Sequence, residues 1–161
     1  MAGLPPKRRR YVAVVGPGNV ADDDDIASDG EVVGRALAGM GAVVVCGGLG
    51  GVMAAVCRGV AAGGGTSVGL LPGVDRSAAN PWVSLALPTG LGEARNVCIA
   101  LSADVMIAVG RGYGTLSEIA LALRAGTPVV GLRTWDLHGD GVHVAGSPQE
   151  AAELALALAG G

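Results

Sequence analysis

The sequence predicts an α/β protein with a single Rossmann-like domain, in which helices cover both faces of a mostly parallel sheet of about six or seven strands. Short apolar runs alternate along the chain with segments of helical periodicity. The runs are continuously apolar, which is typical of strands that are covered on both faces. Glycine-rich turns follow three of the runs, at residues 16–19, 47–51 and 110–115.

The individual elements follow from the same patterns. The apolar runs predict strands at residues 11–15, 42–45, 67–71, 83–87, 104–109, 128–132 and 142–144. Helical spacing predicts helices at 26–40, from the second glycine turn to about residue 62, at 93–102 and at 115–125. Gly41 ends the first helix. Residues 147–150, Ser-Pro-Gln-Glu, open a last helix with a capping box and a proline at its first position.

The composition indicates a folded protein and limits the kinds of molecule that it could bind. The chain has 161 residues, half of them apolar and 16% charged, which excludes a disordered protein and fits one domain at 11–161 behind a basic tail at 1–10. Its net charge of −3 and its scarcity of aromatic residues argue against a nucleic-acid groove. The basic run that ends at Arg10 is interpreted as a solvated tail.

No membrane association is expected. Residues 36–57 are uncharged and long enough to span a bilayer, but they contain six glycines and break at Gly47-Gly48. A buried strand, a turn and a packed helix explain them better. No signal peptide is recognised at the N-terminus. Cys46, Cys57 and Cys98 are interpreted as small buried residues in a reducing compartment, and the predicted location is the cytoplasm.

Metal and cofactor sites are not expected. The acidic residues 22–25 are interpreted as a solvated face favoured by the dipole of the first helix. His138 and His143 flank Asp140, but their spacing matches no strong metal pattern. The glycine turns lack the dinucleotide fingerprint and the Walker lysine. Lys7 is the only lysine and lies in the tail, which excludes a pyridoxal-phosphate enzyme.

The three glycine turns predict a phosphate ligand. Ligands of open parallel sheets bind beyond the carboxyl ends of the strands, so the turns should line one edge of the sheet. Glycine lets the backbone approach a ligand closely, and the first N–H groups of a helix have no partner within it. A phosphate group is therefore expected where the third turn meets the helix near Thr115.

Two charged residues each allow two interpretations. Thr115 and Glu118 match a helix capping box, or Glu118 is a carboxylate one turn from a bound phosphate, kept ionised by the helix terminus. In the second case it would stabilise an oxocarbenium ion or direct a water. The guanidinium group of Arg95 binds phosphate in a bidentate manner, or Arg95 forms a surface salt bridge with Glu93 or Glu118.

Three segments together resemble the LOG-like proteins, long labelled "possible lysine decarboxylases". Residues 110–118, Gly-Arg-Gly-Tyr-Gly-Thr-Leu-Ser-Glu, resemble the signature Pro-Gly-Gly-x-Gly-Thr-x-x-Glu, and residues 46–53 are similar to the element Gly-Gly-Gly-x-x-Gly-Leu-Met. Arg95 falls where that family has its active-site arginine. The resemblance runs from about residue 11 to 132 and is greatest to the branch that includes molybdenum-cofactor carrier-like proteins.

The resemblance implies a nucleotide-binding protein that hydrolyses the N-glycosidic bond of nucleoside 5′-monophosphates, with Arg95 and Glu118 catalytic and a homodimer or larger assembly. The alternative is a non-catalytic carrier or sensor of a phosphorylated ligand such as the molybdenum cofactor, a pterin. Three departures from the family pattern are Gly110, Arg111 and Asn96; Arg111 would either add a phosphate contact or fill the space that a ribose needs. The predicted ligand-binding residues are Gly16, Gly18, Gly47, Gly48, Gly51, Met53, Arg95, Asn96, Gly110, Arg111, Gly112, Tyr113, Gly114 and Thr115.

Overall fold

A computed structural model describes residues 8–137, 139 and 141–160. The strands are β1 (Tyr11–Val15), β2 (Val43–Cys46), β3 (Thr66–Leu71), β4 (Leu85–Pro88), β5 (Val105–Val109), β6 (Val129–Leu132) and β7 (Val142–Val144). The helices are α1 (Asp25–Gly39), α2 (Val52–Ala62), α3 (Arg95–Leu101), α4 (Tyr113–Arg124) and α5 (Pro148–Ala159). These elements occur in the predicted order, and most boundaries differ from the prediction by one or two residues.

The seven strands form one sheet in the order β4-β3-β2-β1-β5-β6-β7, and every neighbouring pair is parallel. The strand order reverses between β1 and β5, so the loops that follow these strands diverge and open a crevice. The turn after β2 lies beside it, because β2 is the other neighbour of β1. The three glycine turns therefore meet at one edge of the sheet, as predicted.

Helices cover both faces of the sheet, and each face has its own core. Buried residues of α1, α2 and α5 pack on one face, and those of α3 and α4 pack on the other. The four central strands, β1, β2, β5 and β6, are buried almost throughout. The expectation of continuous burial is wrong for β3, whose burial alternates, and for β4 and β7, which lie at the two edges of the sheet.

Two glycines allow α1 and α2 to lie in close contact. A Cβ atom at Gly59 of α2 would overlap the carbonyl oxygen of Glu31 in α1, and one at Gly34 of α1 would overlap the carbonyl oxygen of Val56 in α2. Backbone atoms on both sides leave no flexible group that could move aside. These positions on α1 and α2 therefore require glycine for steric reasons, which the sequence pattern did not indicate.

The helix ends behave largely as the sequence predicted. Gly41, with φ of +77°, follows the end of α1, and the Ser147 hydroxyl accepts a hydrogen bond from the Glu150 N–H at the start of α5. Asp24 is the N-cap of α1, where its carboxylate accepts from the Ile26 N–H at 2.8 Å, and residues 22–25 are exposed at this end of the helix.

The cysteines divide into two groups. Cys46 and Cys57 are buried as predicted, with their sulfur atoms 3.5 Å apart, whereas Cys98 is exposed, contrary to the prediction, because its position on α3 faces away from the sheet. The hydrogen bond that the Cys46 thiol shares with Cys57, together with burial, raises the pKa of Cys46 well above its ordinary value. None of the described helices combines the length and the apolar character needed to cross a membrane.

Candidate functional site

A cavity of about 610 Å³ opens where the three glycine turns meet, and we call it the main cavity. It lies beyond the carboxyl ends of β1 and β5, at the point where the strand order reverses. Eleven of the predicted site residues line it: Gly16, Gly18, Met53, Arg95, Asn96, Arg111, Gly112, Tyr113, Gly114, Thr115 and Glu118. Residues far apart in the sequence thus come together at one edge of the sheet, as the positions of the glycine turns predicted.

Four predicted ligand-binding glycines do not line the main cavity: Gly47, Gly48, Gly51 and Gly110. Each lies where one segment of chain passes close to another. Gly51, with φ of +60°, fits against the backbone of Gly18, and a Cβ atom at Gly47 would lie 2.5 Å from Nη1 of Arg95 and 2.6 Å from the sulfur of Met53. Glycine at these positions lets the turns pack closely, and at Gly47 it leaves room for the side chains of Arg95 and Met53.

The capping-box interpretation of Thr115 and Glu118 is wrong. Helix α4 begins two residues earlier than predicted, at Tyr113, and its N-cap is Gly112 in an extended conformation. Thr115 is therefore the third residue of the helix, and Glu118 lies in the second turn with its side chain directed inward. Because glycine offers no side-chain acceptor, the first N–H groups of α4 remain available to a ligand in the main cavity.

Arg95 is the first residue of α3 and is only 8% exposed. Its Nη1 donates to Oδ1 of Asn96 at 3.0 Å and lies 4.0 Å from Oε1 of Glu118. The salt-bridge interpretation therefore identified a correct partner in Glu118, but the pair is buried and not on the surface. Within the described residues, Nε of Arg95 and Oγ1 of Thr115 are buried without a hydrogen-bond partner, which is unusual for protein interiors.

Burial changes the acid–base properties of Glu118. The low-polarity surroundings raise its pKa to about 7, because they penalise the charged form, and Arg95 offsets this only in part. The expectation that the helix terminus keeps Glu118 ionised is therefore not met, since loss of water outweighs the favourable charge. At neutral pH this carboxyl group can either donate or accept a proton.

The segment after β6 supports the loop that carries Arg111 and Gly112. Nε of Arg111 donates to the carbonyl oxygen of Thr134 at 3.2 Å, and Nε1 of Trp135 donates to the carbonyl oxygen of Gly112 at 3.1 Å. The next residue of the loop, Tyr113, contacts the Trp135 ring. Sequence reasoning missed Thr134 and Trp135. The signal that could have found them is that β6 runs parallel to its neighbour β5, so the loop after β6 lies at the same edge of the sheet.

Residues 9–157 match the SLOG cluster4 family. The chain belongs to this family.

Solved structures of similar proteins cover nearly the whole chain. The molybdenum cofactor binding protein from the phototrophic bacterium Rippkaea orientalis is 36% identical, with a TM-score of 0.87 over 94% of this chain and 98% of that one. The molybdenum cofactor carrier protein from Chlamydomonas reinhardtii is 34% identical, with a TM-score of 0.85 over 96% of this chain and 100% of that one. The resemblance to LOG-like proteins in the branch with molybdenum-cofactor carriers is confirmed.

Two further similarities show the family and the fold without adding a function. An uncharacterized protein of Archaeoglobus fulgidus is 37% identical over 145 residues, which are 90% of this chain and 93% of that one. DNA processing protein A from Streptococcus pneumoniae is 20% identical with a TM-score of 0.70, which shows a shared fold alone.

The SLOG cluster4 chain shows no cluster of three or more His, Cys, Asp or Glu residues suited to a metal ion within the described ranges. His138 and Asp140 of the sequence interpretation lie outside those ranges. Five further residues line the main cavity that were not predicted to bind a ligand: Pro17, Asn19, Leu49, Pro72 and Glu93. Pro17, Asn19 and Leu49 belong to the predicted turns, and Pro72 directly follows the carboxyl end of β3.

Proposed function

We propose that this SLOG cluster4 protein is a carrier that binds a phosphorylated pterin of the molybdenum-cofactor type in the main cavity without cleaving it. The similarity to a molybdenum cofactor binding protein and a molybdenum cofactor carrier protein, at 34–36% identity over nearly the full chains, supports this proposal. The same cavity would accept other small phosphorylated molecules.

The start of α4 is the observation that carries the proposal. A phosphate group beside residues 112–115 would receive hydrogen bonds from the first N–H groups of the helix and interact favourably with its dipole. The hydroxyl of Thr115 has no partner in the described structure, and the cations Arg95 and Arg111 line the same cavity. A volume of about 610 Å³ falls within the range of small-molecule sites.

The proposal is tested with molybdenum cofactor released anaerobically from a donor molybdoenzyme. The protein is mixed with this material, separated from free cofactor by size-exclusion chromatography, and assayed for molybdenum and for pterin fluorescence. We expect both to elute with the protein at a fixed ratio, and to be reduced in Arg111→Gln. Arg35→Gln, on the exposed surface of α1, serves as the control and should retain them. Wild-type protein that elutes without pterin would overturn the carrier assignment.

A second candidate is hydrolysis of nucleoside 5′-monophosphates to base and ribose 5-phosphate. The buried pair of Arg95 and Glu118 favours it, because both residues of the LOG-like resemblance converge in one cavity. In this reaction Gly112, Gly114 and Thr115 would anchor the phosphate, and Glu118 would stabilise the cationic ribose. Two observations rank it second: the pKa of Glu118, raised to about 7, reduces its ionised fraction, and Arg111, which departs from the LOG-like signature, lines the same cavity.

The two candidates are separated by base release from AMP, followed by chromatography. For a hydrolase, the wild type releases adenine and Glu118→Gln loses at least 100-fold in rate, the usual size of a lost catalytic carboxylate. For a carrier, both proteins bind without releasing base. Activity that is equal in the two proteins would come from a contaminant and would count against the hydrolase.

The proposal also includes a homodimer or larger assembly. On α3, next to the main cavity, Val97 and Leu101 are 40% and 65% exposed, which is costly for apolar side chains in contact with water. Light scattering should give a mass above that of one chain, and Leu101→Glu should lower it. A sensor that uses the same cavity would instead change its assembly when ligand is added, or co-purify with a partner.

A further inference from the structure

Two of the chain's few aromatic residues meet at the opening of the main cavity. The sequence contains two tryptophans, two tyrosines and no phenylalanine. The rings of Tyr113 and Trp135 lie with their centroids 5.8 Å apart and their planes tilted by 32°. Tyr113 is 84% exposed and lines the cavity. A large aromatic ring is thus held open to solvent directly beside the candidate phosphate site.

The position of this ring is set from two sides. Tyr113 is the first residue of α4, so its backbone is held by the helix. Trp135 contacts its ring and is itself anchored, because Nε1 donates to the carbonyl oxygen of Gly112 at 3.1 Å. The loop before Tyr113 is tied to the same segment by the hydrogen bond from Arg111 to Thr134. A ring restrained in this way loses little conformational entropy when a ligand stacks on it.

We propose that Tyr113, held by Trp135, is the surface on which a flat heteroaromatic ring of the ligand stacks. The site then selects phosphate esters that carry a planar nitrogen heterocycle, such as a purine or a pterin, over sugar phosphates without one. This inference rests on the proposed binding of a phosphorylated ligand at the start of α4. Stacking on Tyr113 would explain why the ligand must carry an aromatic heterocycle, which a phosphate site alone does not require.

The chemistry of stacking supports this assignment. Rings that stack on an aromatic side chain gain affinity with little dependence on their identity, since every such ring has a π-face. The helix N-terminus would hold the phosphate, and the adjacent Tyr113 would receive the ring, so one ester would contact both. Stacking of this kind raises affinity by about tenfold or more. The partner ring of Trp135 also supplies a spectroscopic signal at the site.

The experiment compares two sugar phosphates, only one of which carries an aromatic heterocycle. Ribose 5-phosphate has a furanose but no aromatic ring, whereas formycin 5′-monophosphate carries a purine-like ring on a C–C glycosidic bond that resists N-glycoside hydrolysis. Affinities are measured by calorimetry with the wild type, Tyr113→Phe and Tyr113→Leu. A 6-hydroxymethylpterin phosphate provides the same test for a pterin ring. Because Tyr113 is largely exposed, all variants should fold, and their melting temperatures check this.

We expect the wild type and Tyr113→Phe to bind formycin 5′-monophosphate about tenfold or more tightly than ribose 5-phosphate. Tyr113→Leu should lose that advantage and still bind ribose 5-phosphate within twofold of the wild type. In a Trp82→Phe background, where Trp135 is the remaining tryptophan, the ring-bearing ligand should quench the fluorescence and ribose 5-phosphate should not. Trp82 stacks against Arg58 and does not line the main cavity.

Two failures would have different meanings. If both ligands bind equally well, or if Tyr113→Leu weakens both by the same factor, the stacking role is wrong and the phosphate site stands. If the wild type binds none of formycin 5′-monophosphate, ribose 5-phosphate and 6-hydroxymethylpterin phosphate, the proposed function fails, and the stacking role fails with it.

Discussion

Arg95 and Glu118 face each other across the two helices that pack on one side of the sheet, with Nη1 and Oε1 4.0 Å apart and side chains 9% and 10% exposed. This distance is too long for a strong ion pair, and the two side chains are too buried for water to solvate their charges. Glu118 therefore keeps a raised pKa despite the nearby cation. This relationship makes the site sensitive to pH near neutrality.

Glu118→Gln should remove a pH dependence of stability. The pKa of Glu118 is about 7 in the folded protein and 4.5 for the ordinary group, so the folded state keeps a proton that the unfolded state releases. This contribution is fully present below about pH 4.5 and is lost as the pH rises to about 7. Relative to the variant, the wild type should lose about 3 kcal/mol of unfolding free energy across this window.

Urea denaturation of both proteins at about pH 5 and pH 8 measures this difference. Glu153→Gln, on the exposed face of α5, is the control and should parallel the wild type. A constant difference between wild type and Glu118→Gln at the two pH values would mean that the carboxyl group is not desolvated.

Gly47→Ala should impair ligand binding more than it impairs folding. The new Cβ atom would lie 2.5 Å from Nη1 of Arg95 and 2.6 Å from the sulfur of Met53. Both side chains are flexible and can move, but Arg95 would then leave its place in the cavity. We expect affinity for ribose 5-phosphate to fall by about tenfold, the value of one charge-assisted hydrogen bond.

Calorimetric titration tests this expectation, with Gly39→Ala as the matched control. Gly39 is the last residue of α1, and no atom lies near an added Cβ. The control should bind normally and gain roughly 0.5–1 kcal/mol of stability, because alanine favours a helix more than glycine does. Unchanged binding in Gly47→Ala would show that Arg95 does not contact the ligand.

Gly59→Ala should destabilise the protein without a specific effect on the site. The added Cβ atom would overlap the carbonyl oxygen of Glu31, so α1 and α2 must move apart. Overpacking of this kind costs about 1–3 kcal/mol. Thermal and urea unfolding measure the change, and stability equal to that of Gly39→Ala would show that the two helices are farther apart than described.

Arg111→Gln should weaken binding and reduce its dependence on salt. The variant keeps an amide that can still donate to the Thr134 carbonyl, but it removes a positive charge from the main cavity. Affinity for ribose 5-phosphate at low salt should fall by about five- to tenfold, and less at high salt, because screening already weakens the interaction.

Arg124→Gln, at the far end of α4, controls for net charge and should leave the affinity almost unchanged. If the two variants behave alike, the cavity attracts the ligand by its overall field and not through Arg111.

Local patterns predicted the elements well and their ends less well. The start of α4 is the instructive case: Thr115 and Glu118 have the residue types and spacing of a capping box, yet Gly112 is the N-cap. The chain enters the helix from the end of β5, and this direction is set by strand pairing and not by the side chains of the first turn. A capping pattern is a local preference that tertiary structure can override.

The sequence by itself determined the order of strands and helices, the placement of glycine turns at strand ends, and the motif that carries Arg95 and Glu118. These are properties of neighbouring residues, because periodicity and turn chemistry act over a few positions. Only the tertiary structure decided that Glu118 loses its water beside Arg95, that Gly47 leaves room for that arginine, and that Trp135 supports Tyr113. Burial and contact across α3, α4 and β6 depend on residues far apart in the chain, and no local pattern records them.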